Sequence, residues 1–81
     1  MALQPYGMTA GGLNLSAEVA RMANLVDATE NLVETQNRLV QKIKARGGDI
    51  TEAQALLEIF RDSLALHEHR LAVLARRRSD L

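Results

Sequence analysis

The chain has 81 residues, with ten basic and ten acidic side chains and no cysteine. This length makes one small domain, and the balanced charge gives no general argument for nucleic acid, an anionic membrane or acidic partners. Without cysteine, neither a disulfide framework nor a thiolate metal site can form. An unstapled domain of this size depends on regular helix packing or on oligomerisation.

The first fifteen residues contain Pro5, Gly7, Gly11 and Gly12, which discourage regular structure. We predict a flexible N-terminal arm over 1–15 and a helical hairpin over 16–81. The start of the chain lacks the features of a signal peptide, and no apolar run approaches the ~20 residues that a membrane span requires. We therefore expect a cytoplasmic protein without a membrane partner.

A seven-residue repeat predicts the first helix, over about 16–46. Ser16 is the expected N-cap, and Gly47 with Gly48 ends the helix. Two heptad positions form one apolar stripe. Position a holds Val19, Val26, Val33 and Val40, and position d holds Met22, Thr29, Gln36 and Ile43.

The second helix is predicted over about 51–78. Thr51 as N-cap with Gln54 makes a capping box, and Asp49 with Glu52 is the competing start. Because the connection is so short, the helices must fold back as an antiparallel hairpin. The expected core positions are Leu57, Leu64 and Leu71 at a, and Ala53, Phe60, His67 and Leu74 at d.

The second helix carries a further apolar seam, formed by Leu56, Ile59, Leu66 and Val73. Together with the core positions it spans an arc of about 160°, which is wider than one neighbouring helix covers. We predict that this seam, with Phe60 as its central anchor, is an interface. Pairing of two hairpins into a four-helix bundle would close it, so a homodimer is expected.

Polar residues at core positions are expected to set the register of the helices. Counted from the turn, residues whose numbers sum to about 97 should lie at the same level. This count places Thr29 beside His67 and Gln36 beside Phe60. We predict that Thr29, Gln36 and His67 form polar core layers and that His67 is hydrogen-bonded.

No motif indicates a metal, a cofactor or a reaction. His67 and His69 lie two residues apart, so on a helix they point about 200° from each other and cannot share one ion. No nucleophile–base pair, glycine-rich phosphate loop or carboxylate pair is present. We therefore expect no enzyme activity and no cofactor.

The chain has one basic cluster, formed by Arg76, Arg77 and Arg78. These side chains could contact a nucleic-acid phosphate backbone. The competing interpretation is a solvated helix end that is stabilised by the helix dipole. No aromatic residue lies beside the cluster for base stacking, so nucleic acid is the less favoured partner.

From about Glu30 onward, the sequence follows a pattern of an apolar–Gln helix, a Gly-x-Asp turn and A-x-x-L-L-x-x-F-x-x-S/T-L-x-x-H. The matching residues are Gln36, Leu39, Gly47 or Gly48 with Asp49, Ala53, Leu56, Leu57, Phe60, Ser63, Leu64 and His67. In this the chain resembles a group of small uncharacterised proteobacterial helical-hairpin proteins. The resemblance implies a bacterial helical hairpin, and it implies no site residue because the group has no assigned activity.

The sequence thus favours a protein–protein interaction module, a self-associating coiled-coil hairpin that acts as a small scaffold or adaptor. Its expected partner is a second copy, with another helical protein as the other candidate. The alternative function is that of a small nucleic-acid-associated regulator that uses Arg76, Arg77 and Arg78.

Overall fold

A computed structural model describes the backbone of residues 11–80 and the side chains of residues 15–80. Helix α1 (Gly11–Ala45) and helix α2 (Thr51–Asp80) pack along each other and are joined by residues 46–50. Such a short connection reverses the chain, so the helices are antiparallel. This confirms the predicted all-α hairpin.

Helix α1 begins five residues before Ser16, the predicted N-cap. The predicted arm, 1–15, therefore extends too far toward the C-terminus, because residues 11–15 are helical. Residues 1–10 lie outside the described part of the chain. Leu15 explains the difference. It occupies the d position one heptad before Met22 and is half-buried, so the core stripe and the helix continue past Ser16.

Helix α1 ends in a Schellman motif. The N–H of Gly48 donates to the carbonyl of Ile43 at 2.9 Å, and the N–H of Gly47 donates to that of Lys44 at 3.0 Å. Gly47 has a φ of 76°, the left-handed conformation that this motif requires at its C′ residue. The glycine pair therefore ends α1 as the sequence indicated.

Helix α2 is capped by Asp49 and not by Thr51. The Asp49 carboxylate accepts hydrogen bonds from the Thr51 backbone N–H at 2.9 Å and from the Thr51 hydroxyl at 2.6 Å. In the predicted capping box the Thr51 hydroxyl would accept the backbone N–H of Gln54, but that N–H donates to the carbonyl of Ile50 at 2.7 Å. The predicted Thr51–Gln54 capping box is therefore wrong, and of the competing Asp49–Glu52 pair the Asp49 side chain is the observed cap.

The core between the helices is small and one layer deep. Val40 and Leu57 are each 1% exposed, and Val26 is also buried. The polar side chains of Thr29 and Gln36 are buried with them. The Cα atoms span 14 Å along the thinnest axis of the molecule, against 28 and 62 Å along the other two. Neither described helix combines the length and apolar character needed to cross a bilayer.

Candidate functional site

Seven large apolar side chains remain exposed on the hairpin, with exposed fractions from 38% at Val73 to 58% at Ile59. Three lie on α1 at seven-residue spacing, and four lie on α2. We call this set the apolar face. It consists of Leu25, Leu32, Leu39, Leu56, Ile59, Leu66 and Val73.

The members of the apolar face lie on one side of the hairpin. The three leucines of α1 and Leu56 occupy heptad position g, and Ile59, Leu66 and Val73 occupy position c. Positions g and c lie about 90° and 130° from the centre of the a/d seam, in the same direction. In an antiparallel pair the g sides of both helices flank the seam on the same side. The seven residues therefore form a single surface.

A cleft at the open end of the hairpin supports this placement. It has a volume of about 560 Å³ and is lined by Glu18, Arg21, Met22, His69, Arg70, Val73 and Leu74. Glu18 and Arg21 occupy g and c positions of α1, and Arg70 and Val73 occupy g and c positions of α2. Because one cleft is lined by the g and c residues of both helices, these positions share one side of the molecule. Val73 belongs to both the cleft and the apolar face.

The other side of the hairpin is polar. Positions b and e carry the exposed side chains of Asp27, Glu30, Glu34, Glu58 and Arg61. Glu34 of this side forms an exposed ion pair with Arg38 at 3.9 Å, and the other ion pair of the described side chains, Arg21–Glu18 at 3.8 Å, lies on the side of the apolar face; both contribute little to stability. The hairpin is therefore amphipathic across its thin dimension.

The structure places the predicted interface residues in two different environments. Leu56, Ile59, Leu66 and Val73 lie on the apolar face. Phe60 lies at a d position, directed toward α1, and is half-buried. Phe60 therefore lies beneath the apolar face, in the core between the helices. A central anchor of the interface would instead lie within the apolar face.

Leu25, Leu32 and Leu39 are exposed members of this surface that were not among the predicted interface residues. Their recurrence at position g was the available signal. In an antiparallel hairpin that position lies beside the g and c positions of the other helix.

The register of the helices differs from the predicted one. The Gln36 side-chain amide donates to the Ala53 carbonyl at 3.0 Å, and residues 18–22 lie across the cleft from residues 69–74. Residues at the same level therefore have numbers that sum to about 91, and not 97. The physical reason is that residues 48–50 are not helical. A residue outside a helix can advance by up to about 3.3 Å, against 1.5 Å within a helix, so residues 48–50 can displace the start of α2 along α1.

The hydrogen bond expected at His67 is not formed. The Thr29 hydroxyl donates to the carbonyl of Leu25 in its own helix at 2.7 Å. The Nδ1 atom of His67 is buried and has no hydrogen-bond partner among the described residues. With the corrected register, His67 lies closer to the level of Val26 than to that of Thr29. Of the three predicted polar core residues, Gln36 forms the bond that joins the helices.

Arg76, Arg77 and Arg78 are exposed in the last turns of α2. A nucleic-acid contact by these residues stays a prediction. Among residues 15–80, no group of three or more His, Cys, Asp or Glu side chains is arranged to hold a metal ion.

Comparison of the chain with protein-family models, with curated proteins and with solved structures gave no match.

Proposed function

We propose that the chain is a protein–protein interaction module that associates with a second copy of itself through the apolar face. The observation that carries this proposal is that both helices direct large exposed apolar residues to the same side. Contiguous apolar patches of this kind mark interaction sites on soluble folds. The homodimer would be a four-helix bundle, a fold suited to a small scaffold or adaptor.

The small core supports self-association. A hairpin with three buried apolar side chains in its described part has little apolar surface with which to offset the entropy of folding. A second copy adds a second apolar layer against the first. In such a dimer, folding and association would be coupled, and the stability would rise with protein concentration.

The expected affinity is moderate. The seven residues of the apolar face are about half exposed, and burying the exposed half of such a side chain stabilises by about 1 kcal/mol. Two copies together therefore supply about 14 kcal/mol. An association cost of about 6 kcal/mol, in the lower part of the usual range, leaves about 8 kcal/mol, which corresponds to a micromolar dissociation constant. We expect a dimer that forms in the micromolar range and dissociates on dilution.

The test is sedimentation equilibrium of the full chain and of Leu66→Glu, with circular dichroism to follow folding. Leu66 is 54% exposed, so the substitution puts a charge into the interface without filling the hairpin core. Ala65→Glu is the matched control, because Ala65 is exposed on the polar side of the same helix turn. We expect the parent and Ala65→Glu to dimerise and Leu66→Glu not to.

A folded monomer of the parent chain at micromolar concentration would contradict the proposal. If Leu66→Glu fails to fold, Leu32→Glu repeats the test from α1. Association that survives both substitutions would also contradict it. A helix of another protein on the same face is the competing occupant, and it would leave the purified parent chain monomeric.

A further inference from the structure

We infer that the second copy binds with its connection at the opposite end, so that α1 packs on α1 and α2 packs on α2. This inference rests on the proposed self-association and concerns its geometry. Two hairpins stacked through one face by a two-fold axis have two arrangements. The connections lie either at the same end, with α1 over α2 of the other copy, or at opposite ends, with like helices paired. The side chains at positions g and c distinguish them.

The exposed side of α1 is complementary to the same side of a second, antiparallel copy of α1. From one end to the other, positions g and c hold Glu18, Arg21, Leu25, Ala28, Leu32, Thr35, Leu39 and Lys42. Two antiparallel copies can pair residues whose numbers sum to 60. Leu32 then faces Ala28, and Leu25 faces Thr35, so large side chains meet small ones as close packing requires. Leu39 lies against the aliphatic stem of Arg21. At each end, Lys42 of one copy faces Glu18 of the other.

The exposed side of α2 shows the same property. From the start of α2 to Arg70, positions g and c hold Glu52, Leu56, Ile59, Ser63, Leu66 and Arg70, and Val73 and Arg77 follow at the open end of the hairpin. In antiparallel copies paired at a sum of 122, Ile59 faces Ser63 and Leu56 faces Leu66. Glu52 of one copy then faces Arg70 of the other. The apolar middle is again bounded by opposite charges.

These two pairings agree with the register inside the hairpin. A sum of 60 puts the two-fold axis at the level of residue 30, and a sum of 122 puts it at the level of residue 61. Both levels must coincide, because one axis relates the two copies. Residues 30 and 61 sum to 91, which agrees to within two residues with the intrachain register. Gln36 and Ala53, joined by the hydrogen bond, sum to 89, and Arg21 and Arg70, which line the cleft, sum to 91.

The arrangement with both connections at the same end is less complementary. Each level of α1 would meet the same level of α2 in the other copy, again at a sum of about 91. Arg21 would then face Arg70, which places like charges together. Leu39 would face Glu52, and Ala28 would face Ser63, leaving a gap between two small side chains.

The test uses the absence of native cysteine. A nitroxide is attached to a single engineered cysteine in Lys44→Cys, and the distance between the two labels of the dimer is measured by pulsed electron paramagnetic resonance. Lys44 is exposed at an e position near the connection, away from the proposed interface. Opposite connections place the labels about 42 Å apart along the bundle. Connections at the same end place them roughly 14–20 Å apart.

Arg61→Cys is the control label. It is exposed near the level of the two-fold axis and gives a short distance in both arrangements, so it reports that the labelled dimer has formed. A short distance at both positions overturns the inference while leaving the proposed self-association intact. No dipolar signal from either label, together with a monomer in sedimentation, means that the proposed function itself is wrong.

A charge exchange tests the same geometry without labels. Lys42→Glu should raise the dimer dissociation constant by about three- to tenfold, because the introduced carboxylate would face that of Glu18 in the other copy. Adding Glu18→Lys should return the dissociation constant to that of the parent chain. Lys44→Glu, two residues away on the other side of α1, is the matched control and should leave it unchanged. Further weakening in the double variant would overturn the inference.

Discussion

The side chain of Gln36 in α1 and the backbone carbonyl of Ala53 in α2 are joined by a hydrogen bond of 3.0 Å. Among the described residues, it is the one side-chain hydrogen bond that links the two helices. Gln36 is 8% exposed, so the bond forms within the small core. It fixes the axial position of one helix against the other, and the geometry of the apolar face follows from that position.

We expect Gln36→Leu to change the free energy of unfolding by less than about 1 kcal/mol. The Ala53 carbonyl keeps its helical hydrogen bond, and the apolar replacement fills the same space. Gln36→Ala should destabilise by about 1–2 kcal/mol, since it removes both the bond and the packing. Urea unfolding of both variants at one protein concentration checks this. Equal losses in the two would contradict the expectation.

His67→Leu should stabilise the fold by about 1–2 kcal/mol. The buried Nδ1 atom has no partner among the described residues, and an unsatisfied buried polar atom carries a desolvation penalty that leucine at a d position does not. The control is His69→Leu, whose parent residue is exposed and whose stability change should stay within about 0.5 kcal/mol. Thermal unfolding followed by circular dichroism measures both, and a destabilised His67→Leu would refute the prediction.

Gly47→Ala should destabilise by about 1–2 kcal/mol, because alanine is disfavoured at a φ of 76°. No atom lies within 4 Å of the added Cβ, so the loss would come from the backbone conformation. Urea unfolding measures it, and an unchanged stability would show that the turn can relax to another conformation.

Gly48→Ala should also destabilise the fold, but through a steric clash and not through the backbone conformation. Its Cβ would lie 2.8 Å from Cγ2 of Ile43, a branched methyl group that leucine lacks. We therefore expect Ile43→Leu to relieve part of the loss. In a double-mutant cycle the two substitutions should show a favourable coupling of about 0.5–1 kcal/mol. Additive effects would mean that the contact with Ile43 does not determine the loss.

The stability of the hairpin should depend on the ionisation of Asp49. Hydrogen bonds from the Thr51 hydroxyl, and then from the Thr51 backbone N–H, hold the pKa of Asp49 below its ordinary value of 3.8. The unfolded chain therefore binds this proton more readily than the folded chain. The stabilisation is complete above the unfolded pKa and is lost as the pH falls through the lower folded pKa. Asp49→Asn should weaken the loss of stability below about pH 4, measured by urea unfolding across a pH series, and an unchanged pH profile would contradict this.

The exposed arginines at the end of α2 should be dispensable for self-association. Arg76, Arg77 and Arg78 are expected to act as a solvated helix end, so their combined replacement by alanine should leave the dimer dissociation constant unchanged. The alternative is tested by fluorescence anisotropy with labelled duplex DNA and RNA. Binding that falls steeply with salt and is lost in the triple variant would favour the nucleic-acid function.

Local features of the chain were accessible from the sequence. The recurrence of Val26, Val33 and Val40 predicts the helical stripe, since a heptad repeat specifies one face of a helix. Gly47 predicts the end of α1, because it can adopt the left-handed conformation without penalty. The start of α1 was missed because glycines in the first turn were given more weight than the half-buried Leu15.

Four of the seven residues of the apolar face were also predictable from the sequence. Leu56, Ile59, Leu66 and Val73 were predicted from an apolar arc too wide for one neighbouring helix, and the structure shows them exposed. The expected contact between Thr29 and His67 was wrong, because it depended on an axial offset that no local pattern specifies.

By itself, the sequence determined that the chain forms two amphipathic helices joined by a tight turn, since periodicity, glycine conformation and capping act over a few residues. The tertiary structure decided the register, with Gln36 bonded to Ala53 and His67 left without a partner at Nδ1. It also decided that the leucines of α1 join the seam of α2 on one side. These properties depend on how the non-helical residues 48–50 advance one helix along the other, and that displacement arises only when the two helices pack.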